Sequence, residues 1–124
     1  MVLDAGALIA IERRSTRIQA LLVQARQREL SIVVPTPVVA QAVRRGGGGQ
    51  AGLRRFLADS ALRYVDMDLT AALEVGALLG ASGTSDVVGA FVAICARRLG
   101  GCPVVTSDPD DLAGLDSNLR LIAV

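Results

Sequence analysis

The chain has 124 residues, 52% of them hydrophobic, which is one domain's worth of sequence with enough apolar material for a single core. Its formal net charge is +1, so no global field draws it to nucleic acid or to a membrane surface. It contains no His, and all thirteen basic residues are Arg, which excludes Ser-His-Asp and Cys-His catalysis, imidazole-based zinc sites, Schiff-base chemistry and a P-loop lysine.

Residues 1–4 (MVLD) read as a short buried strand, and residues 5–13 as a helix starting at its end. Residues 16–28 predict a second helix with Ile18, Leu21, Leu22 and Ala25 on one face. Residues 31–34 (SIVV) predict a second strand. Thr36-Pro37 marks a helix start, with Thr as N-cap and Pro at the first helical position. That helix runs to about Arg45 and buries Val38, Val39, Ala42 and Val43, leaving Gln41 and Arg45 on the opposite face. The run Gly46–Gly49 ends it. The run follows a helix and lacks both Lys-Ser/Thr and a GxGxxG context, so it reads as a turn and not as a phosphate loop. Residues 50–59 predict a short helix and 62–66 (LRYVD) a third strand. A helix over about 69–81 follows, with Leu69, Ala72, Leu73, Gly76 and Leu79 as its apolar face. After a loop over 81–85, Asp86 opens a strongly apolar helix to Leu99, and Gly100-Gly101 ends it. Residues 102–106 (CPVVT) predict a fourth strand, 107–111 a short helical turn, and 119–123 a last edge strand. This alternation, with continuous apolar strands, predicts one three-layer α/β domain over 1–124 with a mainly parallel sheet.

Phe56, Tyr64 and Phe91 are the only aromatics, too few for a base-stacking surface. Cys95 and Cys102 have no chelating spacing and do not read as a secreted disulfide framework. Asp4 interrupts the N-terminus before a signal peptide can form, and no apolar run reads as a bilayer span. The expectation is a soluble, cytoplasmic protein with no membrane partner.

What remains for chemistry is carboxylate. Asp4, Asp86 and Asp108 each open a helix, and Asp4 and Asp108 also end strands. In an open parallel sheet, strand C-termini and helix N-termini share the edge where ligands bind. Each acid taken alone is explained as an N-cap in the favourable field of the helix dipole. Brought together in a low-dielectric cleft they repel one another and call for a cation. Carboxylate oxygens without nitrogen or sulfur ligands suit Mg²⁺ or Mn²⁺, which activate water and stabilise charge on a phosphodiester. With no His or Lys to act as base, the metal must lower the pKa of the attacking water, with an Asp as proton acceptor; the expectation for such a route is a 5′-phosphate and a 3′-hydroxyl. Ser85, Thr106 and Ser107 flank the acids, as candidates to orient them or to contact phosphate. Asp110 and Asp111 read as ordinary helix-start acids. The pairs Arg13-Arg14, Arg44-Arg45, Arg54-Arg55 and Arg97-Arg98 read mainly as solvated helix ends. Arg45, one helical turn after Gln41, is the candidate phosphate contact.

The segments Val2–Ala10 (VLDAGALIA), Thr84–Val88 (TSDVV) and Val104–Leu112 (VVTSDPDDL) resemble the signature blocks of the PIN-domain family, more narrowly of VapC-type toxin ribonucleases. The likeness covers essentially the whole chain in order and spacing. It implies a Rossmann-like sheet ordered 3-2-1-4-5 and a Mg²⁺- or Mn²⁺-dependent endoribonuclease acting on structured RNA such as tRNA or ribosomal RNA. It also implies a homodimer neutralised by a small antitoxin protein. Carried over by position, it gives metal-binding and catalytic roles to Asp4, Asp86 and Asp108. The family's remaining acid, usually a Glu, falls at Gln41, whose oxygen can ligate or hydrogen-bond but adds no charge. That departure implies weaker metal binding. It keeps a second reading open, a weakened catalyst that retains the PIN fold and the antitoxin-binding surface.

Overall fold

The computed structural model describes residues 1–43 and 50–124. The expectations for Arg45 and for the Gly46–Gly49 turn therefore lie outside the described residues. Apolar runs buried on both faces form the middle of the sheet: β1 (Val2–Leu3), β2 (Val33–Pro35) and β4 (Val104–Thr106). This is the pattern of parallel strands covered by helices on both sides. The edge strands β3 (Arg63–Val65) and β5 (Leu121–Ala123) are more open. Every pairing is parallel and the order is β3-β2-β1-β4-β5, the order implied by the resemblance. Arg63, Val33, Val2, Val104 and Leu121 form one lateral row across the sheet.

The helices among the described residues are α1 (Ala5–Glu12), α2 (Thr16–Gln27), α3 (Thr36–Val43), α4 (Ala51–Leu57), α5 (Leu69–Ser82), α6 (Val87–Arg98) and α7 (Pro109–Leu115). No single one of them is long and apolar enough to cross a membrane. The spine of the core is α6. All eight residues from Gly89 to Ala96 are buried, and the helix packs on β1, β2 and β4 as well as on α3, α5 and α7. Phe91 is the largest fully buried side chain. Because α6 is anchored along its length, Asp86 at its start is held over the sheet's C-terminal edge. Cys95 is buried in α6 and Cys102 is half-buried, both as free thiols. Burial pushes the Cys95 thiol up to about 11, so at neutral pH it is an inert core side chain.

Several expectations change: the second strand starts at Val33 and not at residue 31, α3 buries Val38 and Ala42 but only half-buries Val39 and Val43, and three further points concern α5, Thr36 and the fourth strand. The apolar face of α5 is not Leu69–Leu73–Gly76: Leu69 and Leu73 are 76% and 68% exposed, and the helix buries Ala71, Val75 and Leu78 instead. Apolar residues surround this helix, so its periodicity allowed two faces. Packing selected the one whose small Ala71 sits fully buried where α5 meets α6. Thr36 does not cap α3 from outside. It is the first helical residue, and its hydroxyl donates to Asp66 at 2.8 Å. The fourth strand begins at Val104, not at residue 102. Gly100 and Gly101 hold φ of +73° and +74°, and Pro103 has no N–H for the ladder.

Candidate active site

At the C-terminal end of β1, Asp4 turns the chain into α1. Its N–H still pairs with Val105 of β4 at 3.1 Å, and its carboxylate accepts from the Ala7 N–H at 2.8 Å. One strand over, β4 ends at Thr106, which is fully buried. The Thr106 hydroxyl oxygen accepts the Asp108 N–H at 2.9 Å, and the same side chain favours the ionised form of the Asp4 carboxyl. This one side chain therefore fixes the start of the Asp108 loop beside Asp4 and has no exposed atom with which to meet RNA. Next to it, Ser107 packs on Gly6: a Cβ at Gly6 would lie 2.9 Å from the Ser107 Cβ and 3.0 Å from its backbone N. Gly6 thus lets the start of α1 approach the loop that carries Asp108.

Asp86 caps α6 by accepting the Gly89 N–H at 2.9 Å. A Cβ at Gly89 would overlap the Asp86 carboxylate, 2.8 Å from its Cγ. Asp108 opens α7 and accepts the Asp111 N–H at 3.4 Å. Asp86 and Asp111 share a hollow with Thr84 and Ser85. Burial pushes the Asp4 carboxyl above its ordinary range, against hydrogen bonds from Thr106, Ala7 and Gly6, and the nearby Asp108 adds to the rise. Asp108 beside it pushes Asp111 up as well, with smaller contributions from Asp86 and Asp110. These repulsions tie Asp4, Asp108, Asp111 and Asp86 into one negative surface. Asp111, read from sequence as an ordinary helix-start acid, belongs to it. Among the described residues no three carboxylates close on a single point tightly enough to form a ready-made cage. The chemistry of the set, hard oxygens with surplus negative charge, fits Mg²⁺ or Mn²⁺.

Gln41 lies half-buried on α3, which packs against α1 and α6, and makes no side-chain hydrogen bond to the acids. Gly6 and Gly89 were not legible as site residues in the sequence. Their signal was a poor helix former in the first turn after a capping Asp, where close approach is the usual reason for Gly.

No protein-family model matches the chain, and no curated protein sequence matches it. Among solved structures it is similar to a chain of VapBC2 from Rickettsia felis, crystallised with a DNA fragment from their promoter. The identity is 19%, the TM-score 0.75, and the alignment covers 99% of this chain and 97% of that one. The fold is that of a PIN domain. In this PIN fold β1 and β4 flank the point where strand order reverses, the place where open α/β sheets bind ligands. Asp4 and Asp108 stand there.

Proposed function

We propose that this chain is a divalent-cation-dependent endoribonuclease of the VapC type, the toxin of a toxin–antitoxin pair. The observation that carries the reading is the meeting of Asp4 and Asp108, through Thr106, at the switch point of a 3-2-1-4-5 sheet, with Asp86 and Asp111 extending the same negative surface. A structural mimic of a VapBC2 chain supports a small antitoxin as partner, and the reading includes a homodimer in the cytoplasm.

Asp4, Asp86 and Asp108 would hold Mg²⁺ or Mn²⁺, which lowers the pKa of water and offsets phosphate charge. Thr106 fixes the start of the Asp108 loop, and its side chain favours the ionised Asp4 carboxylate. Asp111 adds a further carboxylate to the surface formed by Asp108 and Asp86. Ser85 and Ser107, both exposed beside the acids, are the candidate phosphate contacts.

The test is cleavage of an RNA panel that includes total tRNA by partner-free protein, in Mg²⁺, in Mn²⁺ and in EDTA, beside Asp86→Asn. Cuts that need metal, leave 5′-phosphate ends and vanish in the variant support the reading. A 2′,3′-cyclic phosphate end refutes the metal–water route. The uncharged Gln41 favours one second reading, a weakened catalyst kept for binding. That reading predicts no cuts from wild-type protein and cuts from Gln41→Glu.

A further inference from the structure

The N-terminal edge of the sheet, opposite the carboxylates, carries a hollow of about 510 Å³ that the nuclease reading does not use. Leu21, Leu99 and Ile122 are among the aliphatic residues that form its walls, and Arg28, Arg63 and Arg120 stand around it. No carboxylate lines it. Among the described residues the ion pairs are Arg26–Asp59, Arg97–Asp116 and Arg98–Glu74, so none of these three arginines is neutralised.

The sheet register spreads the charges. Arg63 stands at one end of the lateral row through Val33, Val2, Val104 and Leu121, and Arg120 immediately precedes the other end. Four strand spacings separate β3 from β5, about 19 Å at about 4.8 Å each. A ligand with a single anionic head reaches one of these arginines and leaves the others bare. A chain of anions reaches more than one. Arg pairs with carboxylate in a bidentate fork, and aliphatic walls receive Leu, Ile or Val side chains. Nucleic acid brings phosphates, but the lining holds no aromatic residue for its bases to stack on. An extended peptide covers about 19 Å in six residues, at about 3.3 Å each.

We propose that this trough binds an extended segment of a partner protein in which acidic and aliphatic side chains alternate, the carboxylates on Arg63 and Arg120 and the aliphatic side chains on the walls. The site is independent of the active-site reading, because it uses none of the same residues.

Cys102, half-buried in the trough wall, is a built-in reporter, since Cys95 is buried. The experiment uses a labelled pool of hexapeptides alternating Glu or Asp with Leu, Ile or Val. Its controls are the same pool with Gln and Asn for the acids, and a six-nucleotide oligouridylate. Binding is followed by fluorescence anisotropy, and occupancy by the rate at which a neutral disulfide reagent modifies Cys102. Both arginines are exposed, so Arg63→Gln and Arg120→Gln leave the fold intact. The expected result is saturable binding of the acidic pool with at least fivefold slower Cys102 modification. Affinity should drop about tenfold in either variant and fall with added salt. Equal binding of the amide pool, protection by oligouridylate but not by peptide, unchanged affinity in both variants, or no protection of Cys102 would each overturn the proposal.

Discussion

Asp4 concentrates the tension of this site: its carboxylate is half-buried, caps a helix and faces a second acid. A raised carboxyl pKa means the folded state binds its proton more tightly than the unfolded chain does, so ionisation above the ordinary carboxylate range costs stability. Asn keeps the capping oxygen and removes the charge. We therefore expect metal-free Asp4→Asn to melt above wild type at pH 7, with the difference closing as pH falls towards the ordinary carboxylate range. Millimolar Mn²⁺ should raise the melting temperature of wild type and not of the variant. A Mn²⁺ effect of equal size in both would remove Asp4 from the ion site. Gly6→Ala tests the approach of α1 to the Asp108 loop. Crowding against Ser107 costs about 1–3 kcal/mol, and better helix propensity returns at most about 1 kcal/mol. The variant should melt several degrees lower, whereas Gly52→Ala, with nothing within 4 Å of the added Cβ, should not. The three principal acids were legible in the sequence because each follows a strand or loop and opens a helix. Asp111 was not: in a seven-residue helix no periodicity fixes which acids turn inward. Nor does sequence state that Thr106 is buried between two acids.

Elements that carry the acids are held at their far ends. Asp116, just past α7, accepts the Asn118 N–H at 2.9 Å and Arg97 Nε of α6 at 2.8 Å. The Asn118 bond first, and then Arg97, holds the Asp116 carboxyl below its ordinary range, against a smaller push from burial. A depressed carboxyl pKa stabilises the fold above the unfolded value and loses that contribution as pH falls through the folded one. Asp116→Asn should therefore lower the urea midpoint at pH 7, with a cost of about 1 kcal/mol, and cost progressively less below about pH 4. A pH-independent difference would assign the loss to packing. Helix existence was legible because apolar residues recur at helical spacing, and at α1, α6 and α7 a capping Asp marks the start as well. The buried face of α5 was not, since leucines lie all around it. Replacing exposed Leu73 with Gln should change stability by less than about 0.5 kcal/mol, whereas Val75→Ala on the buried face should cost about 2 kcal/mol. Equal costs for the two would mean that a partner covers the outer face in solution.

At the scale of the whole molecule, alternation of strand and helix dictates a parallel sheet, but periodicity does not say which strands are neighbours. That order depends on contacts far apart in sequence, and it was legible only through the resemblance of the motif blocks. The fold then polarises the chain despite a net charge of only +1. Carboxylates gather at the C-terminal edge of the strands, and Arg63 and Arg120 stand at the N-terminal edge. Both ends depend on one central element, because α6 touches three of the strands and three other helices. Phe91 is the largest side chain wholly inside that contact. Phe91→Ala should cost about 3–5 kcal/mol, a large part of the about 5–15 kcal/mol typical of a domain. Since the buried residues form one contiguous cluster, the loss should appear as a single urea transition at a lower midpoint. Asp86 capping, followed by exchange of the Gly89 amide, should disappear in that same transition. Earlier loss of Gly89 protection in the variant would mean that the Asp86 end of α6 opens independently of the sheet it rests on.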